Sequence, residues 1–299
     1  MKKIFITFML TGLLSTSFSQ ALKPYILAAT ATDLTSAKAE AKAALELAGF
    51  GIAGEYMPVA DNSRWIIIVN HPELDRAVQQ AGGLTGFAAT LRVGLTKEGN
   101  VVNISYTNPL YWGNAYFRDD FPKVEGNYQA VSTDFKKALN NLGTTKDIPF
   151  GSEKGVEIKD LRKYHYMFGM PYFDETKDFG DFDSHEAALA KIAESLKWGK
   201  PGVKLVYQYD IPGTKSTLFG FALAGETGET NFMPKIDISS PKHTAFLPYE
   251  FLVMNNEVHM LHGRFRIALS FPDLTMGTFT KIMSTPGDIE DLLKQLVEN

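Results

Sequence analysis

The chain has 299 residues, is 44% hydrophobic and 21% charged, carries a formal net charge of −4 and contains no cysteine. That length suits two domains better than one core, and the composition is ordinary globular usage, which excludes a fibre or a disordered, low-complexity chain. The acidic balance argues against nucleic acid and against electrostatic docking on anionic lipid, and without cysteine there is no disulfide, no thiolate nucleophile, no Cys-ligated metal and no lipidated cysteine.

The first residues read as a secretory leader. Lys2 and Lys3 precede an apolar run from Ile4 to Leu14, followed by small residues at Ser15, Ser17 and Ser19. The run is shorter than the roughly 20 residues of a membrane span, so cleavage near Ser19–Gln20 and export to the periplasm or the extracellular medium are expected. Removing residues 1–19 leaves 28 basic and 34 acidic side chains, a net charge of −6. No later segment has the length of a transmembrane helix.

The first half then unfolds as a series of elements. Tyr25–Ala29 is a short apolar strand. Leu34, Ala37, Ala41, Ala44, Leu45 and Ala48 recur at helical spacing, with Asp33 as N-cap and Gly49 as stop. Phe50–Val59 and Arg64–Asn70 read as strands around the turn Asp61-Asn62-Ser63. Pro72 opens a helix to Gln80. Phe87–Thr96 and Val101–Thr107 form a hairpin around Lys97–Asn100, and a helix from Ala130 to Leu142 closes the half.

The second half repeats that order. Tyr164–Met170 is expected as a strand, Ser184 caps a helix running to Trp198, and Val203–Ile211 and Leu218–Ala224 are strands. An irregular insert follows at 225–245, then a hairpin of Leu247–Met254 and Val258–Leu269 around Asn255-Asn256, and a last helix over Gly287–Val297. Both halves therefore read β-α-β-β-(α)-β-β-α. The fold class expected is α+β: two tandem two-layer domains at 20–143 and 161–299, each an antiparallel-rich sheet with helices on one face, joined by a Gly- and charge-rich linker at 144–160.

Several short stretches carry a resemblance. Glu46-Leu47-Ala48-Gly49-Phe50 ends a helix, Asn70-His71-Pro72-Glu73-Leu74 is followed by Ala77, and Asn108-Pro109 ends a strand. In these the first half resembles the domain of unknown function 302 family. The second half is similar at Leu247-Pro248-Tyr249, where the family has Leu-Pro-Cys, and at Phe271-Pro272, which answers Asn108-Pro109. The resemblance implies a compact α+β fold and no established reaction. The cysteines that the family often carries beside these motifs are missing here, so no thiol or metal role is carried over.

Recognisable chemistry is sparse. There is no Gly-x-Ser-x-Gly, P-loop or His-Glu-x-x-His, and Gly82-Gly83 reads as a helix exit rather than a dinucleotide turn, so no cofactor is implied. His259 and His262 are three apart on an expected strand and face opposite ways, which argues against a shared metal. His165, between Tyr164 and Tyr166, reads as part of a half-buried strand. The acids Asp174 to Asp183 lack calcium-loop spacing and read as a solvated loop. Asn108–Arg118 gathers Tyr111, Trp112, Tyr116 and Phe117 with polar Asn108, Asn114 and Arg118; this is either the lining of a ligand site or a loop folded over the seam between the halves. His262, Arg264 and Arg266 are expected to share one strand face, a cationic stripe for an anion or for neighbouring acids. The expected function is that of a non-catalytic exported protein binding a small molecule or a protein partner. The alternatives are an enzyme with a polar site near Asn70, His71, Asn108 and Tyr111, and a structural module of the cell envelope.

Overall fold

The computed structural model describes residues 21–298; the expected leader lies outside them. In chain order, the first half comprises β1 (Ala21–Leu22), β2 (Tyr25–Ala31), α1 (Leu34–Leu47), β3 (Gly51–Tyr56), β4 (Arg64–Asn70), α2 (Pro72–Ala81), β5 (Leu91–Glu98), β6 (Val101–Thr107), α3 (Pro109–Phe117), α4 (Phe121–Leu139), β7 (Thr144–Phe150), β8 (Val156–Glu157) and α5 (Ile158–Leu161). The second comprises β9 (Lys177–Asp181), α6 (His185–Trp198), β10 (Val203–Asp210), β11 (Ser216–Leu223), α7 (Glu229–Ile236), β12 (Tyr249–Met254), β13 (Glu257–Met260), α8 (Gly263–Ser270), α9 (Met276–Phe279) and α10 (Thr285–Lys294). Among the described residues no helix is long and apolar enough to cross a membrane.

The fold is α+β. One sheet has the order β3-β4-β5-β6-β2-β7 and the other β10-β11-β12-β13-β9; every pairing in both is antiparallel. Without β7 the two orders are the same when the strands of each half are matched in sequence. The stretch 144–160, expected as a linker, is in part sheet: β7 pairs along β2, and β8 pairs with β1. The buried apolar residues of both halves form one continuous cluster.

Alternation along the strands shows how the layers stack. On β4, Arg64 and Asn70 reach the second half, bonding Asp237 and Tyr209, whereas Trp65 turns to α1, where Lys38 Nζ lies 3.3 Å over its ring. On β6, Tyr106 stacks on Phe135 of α4 at 4.6 Å. Helices therefore cover one face of the first sheet, and the second half covers the other.

A buried ion cluster joins the two sheets. Glu250 of β12 pairs with Arg92 of β5, receives the hydroxyl hydrogen of Tyr207, and lies 3.7 Å from Arg266 of α8. Arg266 also donates to the carbonyls of Phe246 (2.8 Å) and Pro248 (2.5 Å). Tyr207 comes from β10, two strands away. It reaches Glu250 because its ring lies flat over Gly220 of β11, where an added Cβ would sit 2.0 Å from Cε1. Gly94 of β5 has a related role: a Cβ there would stand 3.0 Å from the Ala245 amide.

Some expected elements differ from those observed. Residues 164–170 form no strand; the sheet position expected of them is filled by β9. Within 108–118, Pro109–Phe117 is helical; the insert expected to be irregular at 225–245 contains α7; and the strand expected over Val258–Leu269 stops at Met260, after which α8 begins.

Replacing one member of the buried cluster leaves another charge without its partner. Glu250→Gln is expected to cost about 3–5 kcal/mol of unfolding free energy, read from denaturant melts. Arg92→Met combined with it should cost clearly less than the sum of the two single changes; simple additivity would show that the pair is not coupled.

Candidate functional site

The residues singled out in the sequence do not converge. His71 is the N-cap of α2: its Nδ1 accepts the Glu73 amide hydrogen at 3.2 Å, and its Nε2 faces Asp134 at 3.4 Å. Burial pushes its pKa down, against the pull of Asp134. Asn70 donates to the Tyr209 hydroxyl, which in turn donates to Asp75 (2.9 and 2.7 Å). Asn108 donates to the Lys23 carbonyl, Tyr111 to that of Leu269 and Trp112 to that of Pro24. All three are buried, and Tyr111 reaches across the seam, while Tyr116 and Phe117 line a surface recess with Arg118 and Asp174. Arg118 lies at the surface, paired with Asp174.

The cationic stripe is not formed. His262 caps α8 by accepting the Arg264 amide hydrogen at 3.1 Å, and Arg264 and Arg266 are two apart on a helix, not on a strand. They therefore point in different directions; Arg266 is buried and committed to Glu250 and backbone carbonyls. His259 is bonded to Glu257 and Thr176, and His165 stacks on Tyr172 while bonding the Met170 carbonyl. Among the described residues no group of three or more His, Cys, Asp or Glu is placed to hold a metal ion.

A cleft of about 380 Å³ opens at the seam instead. The first half contributes Lys23 and the end of β7 with the turn after it, Pro149 to Glu153; the second contributes the segment from Ile236 to Pro241, His243, and Phe271 to Thr278. Its inner wall is aromatic. His243 stacks on Phe271 at 4.6 Å, and Phe150 meets the His243 ring edge-on at 5.8 Å. Burial pushes the His243 pKa down, opposed by Asp237, a backbone bond to Ser270 and Asp273, so the ring is neutral at neutral pH.

Both walls are tied across the seam. Asp237 accepts the His243 amide hydrogen (2.8 Å) and pairs with Arg64 (2.5 Å). Asp273 accepts the Ser152 hydroxyl (2.9 Å) and the Glu153 amide (2.6 Å). At the other end of α7, Glu229 accepts from the Tyr56 hydroxyl (2.9 Å), the Val59 amide (2.8 Å) and the Leu223 amide (3.2 Å).

Of these residues, the sequence marked only Phe271, through its Phe-Pro pair. Lys23, Phe150 and Asp273 carried no signal, since nothing local distinguishes them. No protein-family model matches the chain, and no curated protein matches it.

Burial raises the Glu229 carboxyl from its ordinary 4.5 to about 7, against three hydrogen bonds that lower it. With the folded value above the unfolded one, this group favours the folded state fully below about pH 4.5, and the advantage is lost as pH rises through 7. A shift of this size corresponds to a contribution on the order of 3 kcal/mol. Thermal melts from pH 5 to 8 should therefore fall more steeply in the parent protein than in Glu229→Gln; parallel profiles would remove Glu229 as the cause.

Proposed function

We propose that this is an exported, non-catalytic binding protein, built from two copies of one α+β unit clasped face to face, whose seam cleft takes a small molecule. The observation that carries the reading is the cleft itself. It lies where the halves meet, it has the volume of small-ligand sites, and it combines an aromatic wall with a few polar groups. The matching strand orders support the duplication, and the leader pattern of residues 1–19 supports export. The resemblance to the domain of unknown function 302 family fits the α+β architecture.

The engagement of the other candidates favours binding over catalysis. Both ring nitrogens of His71 face fixed partners, Asn108 and Tyr111 hold backbone carbonyls, and these groups are not gathered around one space. An acid–base reaction needs such groups within reach of a common substrate atom.

The test is a thermal-shift screen of the mature protein against amines, carboxylates, sugars and nucleosides. A ligand at a hundred times its Kd adds about 2.7 kcal/mol, which corresponds to a rise of several degrees. Ser239→Trp, an exposed change on the cleft rim, and Phe271→Ala, in its wall, should each abolish that rise, whereas Arg118→Ala should leave it intact. A ligand whose shift survives both cleft changes, or a screen in which nothing shifts the melt, would overturn the reading.

A further inference from the structure

We infer that the seam cleft selects a small organic cation, an amine with an apolar body. This inference rests on the cleft being the binding site.

The fixed charges favour a cation. The lining holds one cationic side chain, Lys23, and two carboxylates, Glu153 and Asp273, so it carries one net negative charge. His243 adds no positive charge, because burial holds it neutral. Asp273 is oriented by two neutral donors, the Ser152 hydroxyl and the Glu153 amide, which fix its position without cancelling its charge. Ser152 is itself fixed by accepting the Gly155 amide hydrogen at 3.0 Å. Among the described residues neither carboxylate forms an ion pair with a lysine or arginine, in contrast to Glu55 with Lys42 and Asp237 with Arg64.

The walls favour an apolar body. Phe150 and Phe271 back the inner wall as buried rings, and Ile238 stands on the rim 70% exposed, with Leu274 and Pro241 also in the lining. An ammonium at Asp273 and Glu153, with its hydrocarbon part against Phe271 and Ile238, satisfies both halves of the lining. An anion would meet two carboxylates for one lysine. Two carboxylates alone do not complete a calcium shell, which takes six or more oxygens by general coordination chemistry.

Isothermal titration with three probes of similar shape tests the class: phenethylamine, phenethyl alcohol and phenylpropionate. The amine is expected to bind about tenfold tighter than the alcohol, equivalent to about 1.4 kcal/mol, and the propionate weakest. Raising the salt should narrow the amine's lead. Glu153→Gln should narrow the amine's lead over the alcohol while leaving the alcohol unchanged; the Gln side chain keeps the shape of the site, and the position is exposed, so folding is preserved. Equal or tighter binding of the alcohol or the propionate overturns the cation preference and leaves the cleft reading standing, provided Ser239→Trp weakens that probe. If no probe binds, or if Ser239→Trp weakens none of them, the cleft reading falls and the cation preference with it.

Discussion

Burying Glu250 between two sheets is the constraint on which the rest of this structure turns. A carboxylate out of water must be met by opposite charge and hydrogen bonds, or it forces the layers apart. Here it is met from three sides: Arg92 from the opposite sheet, Arg266 from the helix behind it, and Tyr207 from two strands along. Each partner imposes a demand on the chain. Tyr207 needs a strand without a side chain beneath its ring, which Gly220 supplies. The sheets must approach closely beside Arg92, which Gly94 permits. The cluster ties register to charge, since a slip of either sheet by one residue would turn Arg92 or Glu250 to the wrong face.

The cleft follows from an inequality between the layers. Around the central cluster the seam is closed by pairs such as Thr96 with Thr244, Thr90 with Tyr207, and Asn70 with Tyr209. The first sheet, however, carries β7, for which the second sheet has no matching strand. The end of β7 and the turn after it project to face the segment from Ile236 to Pro241 and the residues after α8, and the space between them is the cleft. Asp237 and Asp273 hold these walls at their roots. If the cleft binds a small molecule as proposed, such anchoring makes the site preformed.

Where an element had a strong local signal, the sequence was sufficient. Helix α1 begins at Asp33, which accepts the Ser36 amide at 2.7 Å, and α6 begins at Ser184 as its cap pattern predicts. The hairpins at Gly99 and Asn255 close where their turn residues stand. Helix α3 was hidden because Pro109 ends a strand and opens a helix equally well, and all but one of its nine residues are buried, so no polar stripe marks its period. Helix α8 was hidden in the same way: seven of its eight residues are buried, and the alternation of Arg264, Phe265, Arg266 and Ile267 imitates a strand. Strand β7 is exposed along all but its last residue, so its composition reads as a linker. The cleft was illegible for a different reason. Its lining comes from three stretches, at Lys23, 149–153 and 236–278, each more than eighty residues from the next, and no local pattern encodes that meeting.

The central cluster also bears on why two units would share one chain. Counting back from the hairpin pairs Glu98–Val101 and Met254–Glu257 sets Gly94 of the first half against Glu250 of the second. The halves thus carry different residues at matching places, glycine in one and the buried acid in the other. A symmetric dimer of identical units would have to place two such carboxylates, or two glycines, about its axis: the first arrangement repels, and the second holds nothing. Joined in one chain and free to diverge, the two units can set a single carboxylate against arginines from both halves. The same freedom extends to the rim, where β7 on one side and the loop after α7 on the other have no need to match. If the halves are copies of one unit, as proposed, the cleft and the clamp beside it have one origin, the loss of symmetry between them.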